Sequence, residues 1–405
     1  MPVYKQKPSY LRAAIRSILA QNYRNYKFII VVDGAPADTV KMIREEMQGD
    51  HRTRVIVKMR NEGVAKALNT GFQYFLEDPE IQYLTWVSSD NIYYPTFIEK
   101  LRDVLKYGSE NIGLVYSSFR HIGSGGQSLQ TEKDLIAFRE FQKQPKENLL
   151  DVCFVGVSFM YKKQYAANIK GYELEPVEDY DYWLRLTEFC DIDYVPEELM
   201  DYRKNSPLSI SAQLNRTQMQ YRRWRYAFNL AKQQARNRRG IPFETTIVFP
   251  VSHASDETVK KLDTVLDISA YPPFYSNFKL LIYDISPTAC VIPALKTIPD
   301  PRITFLARPG ANERQAIKFG VEAANTPYTI LFGKGNFPTS PYVFYSLVLQ
   351  QRQVSNREML SQPLIAASAD QHAAKLRILL AATEPVYGEL YRTDQLSAII
   401  KGLGL

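Results

Sequence analysis

The chain has 405 residues, 45% of them apolar and 23% charged, with a formal net charge of +7. These are values of a folded globular protein of two to three domains, and they exclude a disordered chain, a collagen-like fibre and a coiled coil. No apolar run reaches the ~20 residues of a membrane-spanning helix, and the opening Met1-Pro2-Val3-Tyr4 carries no basic-then-apolar leader.

Three cysteines (Cys153, Cys190, Cys290) lie far apart, without disulfide-framework or zinc spacing. That pattern points to a reducing, cytoplasmic setting. The four histidines are scattered, which argues against a histidine metal site.

In chain order, a helical pattern from Leu11 to Ala20 precedes a buried-strand run, Phe28 to Val32, that ends at Asp33-Gly34. A helix from Thr39 to Met47, a strand at Val55–Val57 and a helix from Gly63 to Leu76 follow. Tyr83 to Val87 is a third strand, ending at Ser88-Ser89-Asp90-Asn91. Such alternation predicts a mostly parallel sheet covered by helices. Ligands of these sheets bind at the carboxyl ends of strands, where Asp33 and Asp90 are expected.

The positive charge is local. Between Asp201 and Gly240 there are ten Lys or Arg residues and one acid. The stretch reads as a helix with Gly240-Ile241-Pro242 as its stop. One reading is a solvated linker helix; the other is peripheral contact of residues 203–239 with an anionic membrane or an acidic partner. No nucleic-acid module accompanies the charge, which argues against nucleic acid.

The second half echoes the first. Thr246-Ile247-Val248-Phe249-Pro250-Val251-Ser252 repeats the opening Met1-Pro2-Val3-Tyr4, and Leu280 to Asp284 repeats Ile29 to Asp33. Arg308-Pro309-Gly310 repeats Arg60 to Gly63, and Tyr328 to Asn336 repeats Tyr83 to Asn91, with Gly335 where Asp90 stands. Leu390-Tyr391-Arg392 repeats Met160-Tyr161-Lys162.

Several strings occur together in a fixed order. They are Pro2-Val3-Tyr4 with Ser17 to Tyr23; Asp33-Gly34; Asn61-Glu62-Gly63 with Ala67-Leu68-Asn69; Ser89-Asp90-Asn91; Glu178-Asp179-Tyr180-Asp181 running on to Leu186; and Tyr202-Arg203 with Ser209 and Ser211. This ordered set resembles family 2 glycosyltransferases, inverting enzymes of the GT-A fold. The resemblance implies an α/β chain in three parts: a GT-A catalytic domain with a mostly parallel, Rossmann-like sheet at 1–212, a basic helical linker at 213–242, and a degenerate, non-catalytic GT-A-like domain at 243–405. The family's apolar strand ahead of Pro-Val-Tyr has no counterpart before Met1, so an incomplete first strand is expected.

The resemblance also implies site roles. Pro2, Val3, Tyr4, Asp33, Asn61, Gly63, Lys66, Ser88, Ser89 and Asp90 would bind a nucleotide-sugar donor, commonly a UDP-sugar, with Asp33 reading the base. Asp90 would hold a divalent cation, Mn²⁺ or Mg²⁺, since hard cations take oxygen ligands. As a competing reading, Asp90 caps the next helix. Asp179 would be the general base that deprotonates the acceptor hydroxyl, with Glu178 beside it; otherwise both simply favour a helix start. Trp183 and Arg185 would face the acceptor, though an aromatic at helical spacing is equally a core residue. Arg185 has two further readings: it reaches the diphosphate, or it pairs with Glu178. Lys66 and Arg60 are the cations nearest the Asn-x-Gly element, and surface positions are the alternative for both. The acceptor would be a glycan, a lipid-linked glycan or a glycoprotein. The other functional reading is a non-catalytic protein that binds nucleotide-sugars or glycans.

Overall fold

The computed structural model describes residues 1–332 and 390–402, apart from 205, 207, 209, 215 and 271–273. Contacts divide the chain into two units, Met1–Ala231 and Lys232–Leu405.

The first unit opens on a short strand. Pro2–Val3 (β1) pairs in parallel with Phe28–Asp33 (β2), which pairs in parallel with Thr53–Lys58 (β3). Between them run Pro8–Leu19 (α1) and Ala37–Glu46 (α2), and Val64–Glu77 (α3) follows β3. Helix α1 starts on a proline and buries Leu11, Ala14, Ile15 and Ile18, the spacing that lays one apolar face on a sheet. A second sheet holds Tyr83–Leu84 (β4), Ile92–Tyr93 (β5), Ile112–Ile122 (β6), Phe159–Lys162 (β7) and Asp191–Arg203 (β8), in the order β4-β7-β6-β8-β5. In it β6 and β8 pair in parallel and the other described pairs are antiparallel, while the first sheet is parallel throughout. Phe97–Tyr107 (α4), Glu132–Gln142 (α5), Lys163–Ala166 (α6) and Glu178–Leu186 (α7) lie between these strands. Ile210–Leu214 (α8) and Gln218–Arg238 (α9) follow β8.

The strand expected at Tyr83 to Val87 is paired only over Tyr83–Leu84. Strands β2 and β4 belong to separate sheets, and β1 pairs with β2 alone. A cavity of about 580 Å³ lies beside the two strands, lined by Met1, Phe28, Ile29, Leu84, Trp86 and Met160 among others. The Met1 nitrogen donates to the Ile29 carbonyl at 2.9 Å, so the β1–β2 ladder runs up to this cavity. Prefixing Met1 with Thr-Thr-Ile-Val-Phe, the sequence of residues 245–249, is expected to raise the melting temperature by several degrees over a five-residue Gly-Ser prefix. Extension of the ladder and burial of apolar side chains supply the gain. Equal melting temperatures would show that the cavity does not take a strand.

The second unit has the same arrangement without the break. Thr245–Val251 (β9), seven residues all buried, lies between Phe278–Asp284 (β10) and Tyr328–Leu331 (β12). Ile303–Ala307 (β11) and Leu390–Arg392 (β13) complete the order β11-β10-β9-β12-β13, with only β13 antiparallel. Asp256–Asp267 (α10), Val291–Leu295 (α11), Glu313–Glu322 (α12) and Thr393–Gly402 (α13) are its helices.

A shared detail supports the repeat. Arg52 bonds Asp50 and the Leu19 carbonyl, and its guanidinium lies 4.5 Å from the Tyr26 ring centre. Arg302 bonds Asp300 and the Leu266 carbonyl, with the Phe278 ring at 4.2 Å. One echo is out of register: Pro2 lies opposite Val31, but Pro250 lies opposite Tyr283, one residue nearer the strand-end aspartate. The echo at Gly335 lies outside the described residues.

The basic stretch is not simply solvated. Arg203, Arg225, Lys232 and Arg236 are buried. In the second unit Lys232 donates to the Ser269 carbonyl at 2.9 Å, and Arg236 to Ser276 Oγ at 3.0 Å. Helix α9 spans the boundary between the units and so belongs in part to each.

Candidate active site

Strands β1, β2 and β3 run in parallel, so their carboxyl ends meet at one edge. Asp33 ends β2 and is 2% exposed. Its Oδ2 accepts hydrogen bonds from Asn61 Nδ2, Glu62 N and Gly63 N, all at 3.0 Å. Its Oδ1 is ion-paired with Lys58 at 2.9 Å, and Lys58 also pairs with Glu62. Asp33 is therefore tied to the end of β3 and to the loop after it, and its carboxylate shapes the Asn61–Gly63 loop. The fit depends on Gly34, at φ +70°, because a Cβ there would overlap the Asn61 nitrogen. Tyr4 and Lys66 are exposed at this edge, whereas Val3 is buried.

The second cluster lies between β4 and β5. Ser88 N donates to the Tyr93 phenol at 2.9 Å, and Ser89 Oγ accepts from Gln6 at 3.4 Å. Asp90 lies six residues before Thr96, the residue ahead of α4, so it does not cap that helix. Arg203 locks the segment: it donates to the carbonyls of Asp90 at 3.1 Å and Gly123 at 2.9 Å and lies 4.0 Å from the Tyr10 ring centre. Burial raises the Asp90 carboxyl above its ordinary range, and the Arg203 charge opposes that shift.

The third cluster opens α7. Glu178 Oε2 and Asp179 Oδ1 are buried with no hydrogen-bond partner among the described residues. Burial pushes both carboxyls up, and each is then raised further by a neighbouring carboxylate: Glu175 acts on Glu178, and Glu178 on Asp179. Both stand in the first turn of α7, after Val177 at the cap position, whose side chain makes no cap bond. The Tyr93 phenol, raised mainly by burial, also feels the charges of Asp90 and Asp179, which brings the second and third clusters into one neighbourhood.

Trp183 and Arg185 turn away from this neighbourhood. Trp183 is fully buried, with Phe159 and Tyr161 ring centres at 4.3 and 6.0 Å. Arg185 pairs with Asp181 at 2.7 Å and donates to the carbonyls of Lys170 and Gly171. Trp183 thus packs against β7, and Arg185 holds the loop before α7. Arg185 pairs with Asp181 rather than Glu178. Sequence reasoning missed Lys58, Tyr93, Glu175 and Arg203 as members of the site. Arg203 had a signal as part of the Tyr202-Arg203 string, and Tyr93 as part of the string that begins Ser89-Asp90-Asn91.

In the second unit Asp284 is also buried and committed. Its oxygens accept from Ser286, Val291 N and Ile292 N, so it caps its own following loop.

Among known proteins, the family described as Glycosyl transferase family 2 matches residues 1–169. An uncharacterized glycosyltransferase of Methanocaldococcus jannaschii is 30% identical over 210 residues, half of this chain and 69% of the relative. The chain belongs to glycosyl transferase family 2. An uncharacterized glycosyltransferase of Rickettsia conorii is 29% identical over 209 residues, 51% of this chain. The chain spans about a third of the length of that relative and of its Rickettsia felis counterpart. Among solved structures, S. aureus TarS 1–349 in complex with UDP-GlcNAc aligns at a TM-score of 0.43 and 12% identity, over 57% of this chain and 64% of that one. Mannosyltransferase PcManGT from Pyrobaculum calidifontis, in complex with GDP-Man and Mn²⁺, aligns at 0.41 and 13%, over 67% and 80%. In this family 2 chain, Asp33, Asn61, Gly63 and Asp90 fall inside the matched residues, while Glu178 and Asp179 lie beyond them. No helix among the described residues is long and apolar enough to cross a membrane.

Proposed function

We propose that the first unit transfers a sugar from a nucleotide donor, with UDP the favoured base, to an acceptor hydroxyl of a glycan, lipid-linked glycan or glycoprotein. The observation that carries this reading is the Glu178–Asp179 pair, each with a buried oxygen that has no hydrogen-bond partner among the described residues. A carboxylate kept dry has a raised proton affinity, which suits a base that takes a proton from an alcohol as it attacks. Asp179 accepts that proton, and one displacement at the anomeric carbon inverts its configuration. The loop Asn61–Gly63, held by Asp33, and the segment Ser88–Asp90, held by Arg203 and Tyr93, are the donor's side of the site.

A divalent cation fits at Asp90. Among the described residues no three His, Cys, Asp or Glu side chains gather into a closed metal cage. Magnesium-type sites commonly use one or two carboxylates together with substrate phosphates, and Asp90 is a half-buried carboxylate that a cation would favour ionised. When bound, the cation offsets charge on the leaving diphosphate. The second unit is non-catalytic in this reading, since its sequence carries Gly335 where the first copy carries Asp90.

Calorimetric titration of UDP with and without Mn²⁺ tests the donor side. Binding is expected to depend on Mn²⁺ and to weaken by tenfold or more in Asp90→Asn, the loss of one charge-assisted ligand. Metal-independent binding, or an unchanged Asp90→Asn, would remove Asp90 as a ligand. Release of free sugar from a donor panel separates an enzyme from a protein that only binds.

A further inference from the structure

We propose that Glu175 is a positioning residue that joins the donor-side loop to the catalytic carboxylates, so that both halves of the site move as one body. The proposal rests on the transfer reaction described above.

Helix α3 begins at Val64, and its first-turn N–H groups need acceptors. The residue before it is Gly63, at φ +97°, which has no side chain to cap with. A local Ser, Thr or Asp is the ordinary solution. Here the acceptor arrives from 110 residues away: Ala65 N donates to Glu175 Oε1 at 2.8 Å. A Cβ at position 63 would stand 2.5 and 2.9 Å from the two Glu175 oxygens, so a larger residue there would displace the carboxylate from its place. A cap supplied from a distance closes a long loop and orders a distant segment, which a local cap would avoid.

The segment it orders is the one that enters α7. Glu175 stands three residues before Glu178 and four before Asp179. On its other side, Gly63 N is bound to Asp33. One chain of contacts therefore runs from β2 through the Asn61–Gly63 loop and Glu175 to the start of α7. The same loop is stapled twice more. Asn69 of α3 donates to the Tyr172 carbonyl at 2.8 Å and accepts from Tyr172 N at 2.7 Å. Arg185 of α7 donates to the Lys170 and Gly171 carbonyls. These ties hold the body of the loop. Glu175 reaches from the catalytic end to the donor end, and small misplacements there are costly because reacting atoms must be held to within about an ångström.

The test compares wild type with Glu175→Ala, Glu175→Asp and Glu175→Gln in steady-state transfer, and in hydrogen exchange of the whole chain. Glu175→Gln keeps an oxygen that accepts from Ala65 N and is expected to retain near wild-type kcat and donor KM. Glu175→Ala, and Glu175→Asp with its shorter reach, are expected to raise donor KM and lower kcat together, for a ~10–100-fold loss in kcat/KM. Amides of residues 61–65 and 177–181 should lose exchange protection together in those two variants, and keep it in Glu175→Gln. Lower melting temperature with kcat and KM intact would make Glu175 a helix cap only and overturn the proposal. So would opening of 61–65 with 177–181 still protected. If Glu175→Ala fails to fold, the Asp and Gln pair gives the same contrast. Absence of sugar transfer by wild type would refute the transfer reading, while the exchange experiment would still decide whether Glu175 joins the two segments.

Discussion

Asp179→Asn is expected to lose ~10²–10⁴-fold in kcat, the usual contribution of a positioned base, while binding UDP with near wild-type affinity. Asn matches Asp in shape but cannot take a proton, so only the step that needs a base suffers. The same change should raise stability at neutral pH. Both carboxyls of the Glu178–Asp179 pair are pushed up by burial. A group whose proton is held more tightly in the folded chain contributes stability that is full below its unfolded value and lost as pH rises through its folded value. At neutral pH the wild type therefore bears the cost of a buried negative charge, and the Asn variant bears less. Thermal melts should show the variant above wild type at neutral pH, with the gap closing in mild acid. For the wild type, the acid limb of the rate profile should lie above the ~4 of a free carboxylate. Wild-type turnover in Asp179→Asn would assign the base elsewhere. A variant that melts lower at neutral pH would contradict the desolvation that the buried, unpartnered oxygens imply.

Trp183→Ala is expected to destabilise the first unit by ~3–5 kcal/mol, the cost of truncating a fully buried large aromatic. Its ring makes edge-to-face contacts with Phe159 and Tyr161 of β7. Trp183→Phe should cost much less, because the ring contacts survive and the lost indole N–H is buried without a partner. Urea denaturation reads both. Acceptor KM in Trp183→Phe should match wild type. A tenfold rise in acceptor KM at unchanged stability would return Trp183 to the acceptor site.

Legibility in the sequence followed the range of the physics. Helices α1, α2 and α3 were readable to within a few residues because their apolar spacing is local. Strand β2 was readable because its whole run is buried. Asp33, Asp90 and the Glu178–Asp179 pair were picked out by residue type and order. Their roles were not equally readable. Asp33 looks like a free strand-end carboxylate until the loop after β3 folds back onto one oxygen and Lys58 of β3 pairs with the other. Trp183 and Arg185 are ambiguous on a helical wheel, and their partners Phe159, Tyr161, Lys170 and Gly171 decide the matter from other elements.

The internal repeat shows the same division. Composition and order carried it, and the sheet order of the two units supports it. The paired Asp50–Arg52 and Asp300–Arg302 contacts were silent in sequence, because an Asp-x-Arg triplet says nothing about the carbonyl and ring it will meet. The basic stretch at 201–240 read as surface, yet four of its cations are interior.

What the sequence determined by itself was the alternation of elements, the family, and the carboxylates available for chemistry. All of these depend on residue type and on neighbours along the chain. What only the tertiary structure decided was which carboxylates remain unspent, which aromatics are core, and that Glu175 reaches across 110 residues to the start of α3. Those depend on partners brought together by the fold, and a buried group's charge and role are set by such partners rather than by its own identity.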